Sequence, residues 1–103
     1  MQNPSVAIVI LNWNGKNFLE QFLPSVLLSE YANKRIIVAD NASTDDSVGF
    51  LKSHYPQVEI LLNNCNEGFA KGYNTALKQV QSDYYVLIRC FFYRLYLCTK
   101  FNT

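Results

Sequence analysis

Glycine is scarce in this chain, four in 103 residues, and none are spaced as Gly-x-Gly-x-x-Gly or as a P-loop. The dinucleotide-binding fingerprint needs those glycines after its first strand, and here only Gly15 follows the first apolar run, so that class is excluded. Histidine is scarcer still. His54 stands alone near an expected helix end and reads as a solvated side chain, not a catalytic one. Cys65, Cys90 and Cys98 have no metal-ligand spacing and leave an odd thiol if two pair, which reads as reduced thiols in a cytoplasmic setting. No stretch approaches the ~20 apolar residues that span a bilayer, so no transmembrane segment is expected. The apolar run near the N-terminus is too short for a signal peptide and has no basic flank. A net charge of +1 gives no drive for nucleic-acid binding through bulk charge. Acidic residues are missing after the first apolar run, where Asn12, Trp13 and Asn14 stand, and that excludes a phosphoacceptor receiver domain.

What is present points to one α/β domain. The length suits a single core, and half the residues are hydrophobic with 17% charged, as in a globular chain. Residues 6–11 and 36–39 are unbroken apolar runs that each end in a polar loop. Strands of a parallel sheet read this way because helices cover both of their faces. Ligands of open α/β sheets bind beyond the carboxyl ends of the strands, where both loops fall. Asp40 closes the second strand, ahead of Asn41 and Ser43, in a loop suited to a base or ribose.

Phe18, Leu19, Phe22, Leu23, Val26 and Leu27 form a stripe at helical spacing, and Pro24 within it predicts a kink or two short pieces. Residues 35–39 are the second strand. Ser43 or Thr44 is expected to cap a helix whose first turn holds Asp45 and Asp46, carboxylates favoured by the helix dipole, with Val48 and Leu51 facing inward. Residues 58–62 form the third strand. Turn chemistry fills residues 63–68, and Phe69, Tyr73, Ala76, Leu77 and Val80 give another helical stripe. Gly72 inside it is unfavourable by about 1 kcal/mol against Ala, which implies close packing or ligand approach. Residues 84–88 form the fourth strand. The alternation predicts a Rossmann-like parallel sheet in the order 3-2-1-4 with helices on both faces. Its core should draw on Ile8, Ile10, Phe22, Val26, Ile37, Val38, Leu77 and Val86.

Three segments carry a family resemblance: VAIVILNWNG at 6–15, VADNASTDDS at 38–47 and NNCNEGFAKGYNTAL at 63–77. In order and at this spacing they resemble the N-terminal, nucleotide-sugar-binding half of a family 2 glycosyltransferase of the GT-A fold. The rhamnosyltransferase-like branch is the most similar. The resemblance covers residues 6 to about 88. It implies transfer of a sugar from a nucleoside diphosphate donor to an acceptor hydroxyl, in cell-surface glycan synthesis, by a cytoplasmic protein or one peripheral to the inner membrane face. It also implies that Asn12, Trp13 and Asn14 line the nucleotide pocket and that Asp40 accepts a hydrogen bond from base or ribose. Asn41 and Ser43 would hold that loop, and Gly68, Lys71 and Asn74 would approach the nucleotide. Trp13 reads equally as a packed aromatic or as one stacked on a base. Lys71 reads equally as a solvated side chain or as a diphosphate contact.

The resemblance fails after the fourth strand. The intact family carries an Asp-x-Asp-like motif there that holds magnesium or manganese, and its catalytic base lies further downstream. Here Ile88 is followed by Arg89, Cys90 and Phe91, and no carboxylate occurs after Asp83. No catalytic residue, metal ligand or cofactor is therefore assigned to this chain. Residues 89–103 hold three basic residues, no acidic ones, and five of the fifteen aromatics. They read as a divergent tail on a truncated GT-A domain, residues 1–88, such as a frameshift would produce. The tail is expected to be a sticky strand or a poorly packed segment, with the fourth-strand edge bare and self-association eased by removing residues 89–103. The alternative function is a nucleotide-binding half-domain without turnover.

Overall fold

A computed structural model describes residues 4–28, 31–66, 68–89 and 94–98. Eight elements follow one another: β1 (Val6–Asn12), α1 (Lys16–Leu27), β2 (Lys34–Asp40), α2 (Ser47–His54), β3 (Glu59–Leu62), α3 (Phe69–Leu77), β4 (Tyr84–Arg89) and β5 (Arg94–Cys98). They build one sheet in the order β3-β2-β1-β4-β5. The first four strands are parallel to one another, as the apolar runs predict.

β1 is central, and its last residue is level with the last residue of β2, Asn12 opposite Asp40. Strand alternation sends successive side chains to opposite faces. Ile8, Ile10, Ile36 and Val38 pack with Leu19 and Leu23 of α1, Phe50 and Leu51 of α2, and Val58. Ala7, Val9, Leu11, Ile37 and Ala39 pack on the other face with Tyr73 and Ala76 of α3, Val80, Tyr85 and Leu87. Two helices thus cover one face and one helix the other. Of the expected core, Ile8, Ile10, Ile37 and Val38 are buried, whereas Phe22, Val26, Leu77 and Val86 lie half-buried around it. The buried tyrosine hydroxyls find carbonyls, Tyr73 donating to Ile88 at 2.6 Å and Tyr85 to Val80 at 2.8 Å. That satisfies the polar end of each aromatic anchor.

Three local expectations are corrected. α1 is one helix with Pro24 inside it, not two pieces. Pro24 lacks only its own donor, and its carbonyl still accepts from Leu28 N–H at 3.1 Å. α2 begins at Ser47, so Ser43 and Thr44 are not its caps, and Asp45 and Asp46 precede the helix instead of filling its first turn. Both residues expected as caps are used to join the loops after β1 and β2, described below. Finally, the β4 edge is not bare: β5 pairs with it antiparallel, Tyr85 opposite Cys98 through Arg89 opposite Arg94. Alternation of backbone hydrogen bonds between two strands satisfies groups that an open edge would expose. The rest of the tail, residues 90–93 and 99–103, lies outside the described residues.

Candidate functional site

The C-terminal ends of β1, β2 and β3 lie on one side of the sheet and carry two hydrogen-bonded networks, one on each face. Asp40 ends the first. It is 2% exposed, and both of its oxygens are occupied. Oδ1 accepts from Asn12 Nδ2 at 2.8 Å and from Ser43 Oγ at 2.7 Å, while Oδ2 accepts from Ser43 N–H at 2.9 Å. Asn12 is fully buried, and its Oδ1 accepts from Gly15 N–H at 3.1 Å. Ser43 Oγ in turn accepts from Asn14 N–H at 2.9 Å. Asn14 Oδ1 accepts from Thr44 N–H at 2.7 Å and Asp45 N–H at 3.1 Å. These bonds weld the loop after β1 to the loop after β2.

Asp45 extends that weld to the helices. Its carboxylate accepts from Lys16 N–H at 3.2 Å, at the start of α1, and from Ser47 N–H at 3.0 Å, at the start of α2. Ser47 Oγ also donates to it. One side chain therefore satisfies orphan donors of two helix N-termini. Burial disfavours the Asp45 charge, but the hydrogen bonds from Ser47 and Lys16, with the nearby Lys16 ammonium, outweigh it and hold the carboxyl below its usual range. Asn14 and Ala42 both have positive φ, 51° and 63°. Asn adopts this region readily, whereas for Ala it is unfavourable by roughly 1–2 kcal/mol, so the loop is held in a strained shape by its bonds.

The second network begins one residue later and on the opposite face. Asn41 Oδ1 accepts from Asn63 Nδ2 at 3.0 Å. Its Nδ2 donates to Asn66 Oδ1 at 2.8 Å and to Gly68 O at 3.3 Å. This amide is a hub joining β2, the loop after β3 and the start of α3, where Gly68 has φ 90° and needs no Cβ accommodated. Beside it lies an open cavity of about 140 Å³ lined by Asn41, Asn63, Asn64, Cys65, Lys71, Gly72 and Thr75. Whole small-molecule sites are roughly 300–1,000 Å³, so this space suits one ring or one phosphate rather than a complete nucleotide sugar. Asn63 Oδ1 is buried beside it without a hydrogen-bond partner.

Of the residues expected from sequence, Asn12, Asn14, Asp40 and Ser43 come together in the first network, and Asn41 and Gly68 in the second. Asn41 and Lys71 line the cavity. Trp13 is 41% exposed beside the first network. Asn74 is exposed on α3 and does not line the cavity. Sequence reasoning missed Asn63, Asn64, Cys65 and Thr75 as cavity residues, whereas Gly72, read as a point of close packing or ligand approach, lines the cavity. The signal was available for the first three, because the loop after β3 is a third strand-end loop beside the other two.

Magnesium and manganese require several oxygen ligands. Among the described residues no three His, Cys, Asp or Glu side chains come together. Asp40 is committed to protein donors, and β4 ends at Arg89, level with Leu11 of β1. These residues do not fit such an ion.

Residues 5–88 match the family described as glycosyl transferase family 2. An uncharacterized glycosyltransferase of Haemophilus influenzae is 29% identical over 87 residues, which are 82% of this chain and 35% of that protein. The putative glycosyltransferase EpsE of Bacillus subtilis is 28% identical over 85 residues, 79% of this chain and 31% of that protein. The chain thus spans about a third of the length of these relatives. Among solved structures, a Pyrobaculum calidifontis mannosyltransferase in complex with GDP-Man and Mn2+ superposes with a TM-score of 0.73 at 23% identity, covering 87% of this chain and 28% of that one. S. aureus TarS 1-349 in complex with UDP gives 0.75 at 18% identity, covering 84% and 27%. Both likenesses show the fold. The match over residues 5–88, with this sheet order, shows that the chain belongs to glycosyl transferase family 2.

Proposed function

We propose that residues 1–88 form the donor-nucleotide half of a GT-A glycosyltransferase, and that residues 89–103 are a divergent tail. The donor is a nucleoside diphosphate sugar, and the sugar goes to an acceptor hydroxyl in cell-surface glycan synthesis, on a rhamnosyltransferase-like pattern. The observation that carries this reading is the amide-lined cavity at the strand ends, with Lys71 on its wall. Its size suits one component of the donor. Asn63 and Asn64 offer the hydrogen-bonding groups that a base or ribose requires. Lys71 offers a cation to the diphosphate.

In this reading Asp40 does not meet the nucleotide directly. With Asn12, Asn14 and Ser43 it fixes the loop that presents Trp13, whose half-exposed ring can stack on a base. Asn41 and Gly68 fix the opposite wall, and Asn74 stands beyond it on α3. Solved neighbours bind donors of the expected class: the mannosyltransferase holds GDP-Man, and TarS has been captured with UDP-GlcNAc. A sugar-nucleotide donor goes with a cytoplasmic site of action, peripheral to the inner face where the acceptor is membrane-bound. Among the described residues no helix is long and apolar enough to cross a membrane.

A second reading is favoured by the end of β4, where Arg89 stands and no carboxylate follows. There this chain binds nucleotide without transferring sugar. Titration calorimetry with UDP, GDP and dTDP tests the shared step. Binding that weakens in Asn41→Ala supports the cavity assignment. No heat with any of the three on a folded chain refutes it. Sugar transfer from the matching donor then separates the two readings.

A further inference from the structure

We infer that this chain holds the diphosphate of its nucleotide without a divalent cation, with Lys71 meeting the phosphate charge. The inference rests on the nucleotide reading above and adds how the anion is neutralised. A diphosphate at the strand ends needs positive potential, which metal ions, basic side chains and the N–H groups of helix N-termini can supply.

Two carboxylates on this side of the sheet, Asp40 and Asp45, are committed elsewhere. Asp40 accepts three hydrogen bonds in a buried position, and Asp45 accepts from the starts of two helices. To ligate an ion, Asp40 would have to release Asn12 and Ser43 and so dissolve the weld between the first two loops. The cavity wall instead carries Lys71, and the ligand-side end of β4 carries a residue of basic type, Arg89. After Asp83 the sequence adds two arginines and one lysine and no acid.

The test is calorimetry on the full chain with UDP, GDP and dTDP and with the matching nucleosides, in EDTA, in magnesium and in manganese, with bound manganese followed by electron paramagnetic resonance. The expected result is a diphosphate affinity equal within about twofold in all three conditions and no manganese retained by the protein–nucleotide complex. Lys71→Met should weaken diphosphate binding by about tenfold, the size of one charge-assisted contact, while leaving nucleoside binding unchanged and Lys71→Arg close to the native chain. An affinity that rises tenfold or more with manganese, or manganese immobilised in the complex, overturns the inference and leaves the nucleotide reading standing. Equal losses of nucleoside and diphosphate binding in Lys71→Met overturn the role of Lys71. Absence of binding in every condition overturns the nucleotide reading, and the inference with it.

Discussion

Gly72→Ala sets two known effects against each other, and the structure decides their balance. Alanine is the better helix former by about 1 kcal/mol, which favours the variant inside α3. A Cβ at position 72, however, would stand 2.8 Å from Leu11 Cδ1 and 3.2–3.3 Å from the two polar atoms of the Asn41 amide. Leu11 is buried in the α3-side core, so its methyl can move only by displacing neighbours. The Asn41 amide is held by bonds to Asn63, Asn66 and Gly68 and cannot turn without breaking them. Overpacking of this kind costs about 1–3 kcal/mol. The net expectation is a loss of about 1 kcal/mol, with the hub displaced. Urea unfolding with the slope unchanged should report the loss, and nucleotide titration should show weaker binding because the hub forms the cavity wall. A variant more stable than the native chain would refute the packing argument.

Four other outcomes are expected. Asp40→Ala should lose about 2–4 kcal/mol in urea unfolding, because the buried Asn12 amide and the part-buried Ser43 N–H both lose an acceptor, while Asp40→Asn should lose less, since one acceptor oxygen remains. Ile37→Ala, at a fully buried central position, should lose about 2–5 kcal/mol, and a loss below about 1 kcal/mol would contradict its place in the core. The folded-state pKa of Asp45 lies below its unfolded value of 3.8, so its contribution is present above that pH and fades as pH falls through the folded value. Acid titrations of stability should therefore show a shallower decline below pH 3.8 in Asp45→Ala than in the native chain. A chain ending at residue 89 exposes the β4 edge that β5 pairs with, so light scattering should show more self-association than in the full chain, the reverse of what an unpaired tail would give.

The strands were legible because buried parallel strands leave unbroken apolar runs, and Val9, Ile10, Ile37 and Val38 are buried as such runs require. The order 3-2-1-4 followed from strand–helix alternation and the family resemblance. The division of labour between Asp40 and Asn41 was not read, although parity contained it. Asp40 lies two residues after Val38, on the α1 and α2 face, whereas Asn41 continues the Ile37 and Ala39 row toward α3. The start of α2 was misplaced because Ser43 and Thr44 have capping chemistry but spend it on partners some thirty residues away, Asn12 and Asn14. Local propensity cannot report that competition. The tail read as strand-prone from its composition, yet composition alone did not say that residues 94–98 would return antiparallel along β4.

The adjacency of Asp40 and Asn41 has a consequence for how such a sequence can drift. Two neighbouring residues serve opposite layers of the molecule, so their identities are tied to a phase as much as to a place. One residue inserted within residues 34–40 would put Asp40 in the place of Asn41 and Ala39 in the place of Asp40, and one deleted would put Asn41 in the place of Asp40 and Ala42 in the place of Asn41. After an insertion a carboxylate would face Asn63 and Asn66 with no proton to give Asn66, and after a deletion an amide would meet Asn12 and Ser43 with half the acceptors they need, the other network in each case receiving an alanine. Both networks would fail at once, although no residue type had been lost. Length changes are therefore tolerable in the turn before β2 and intolerable inside it, a grammar of spacing that substitution studies alone would never reveal.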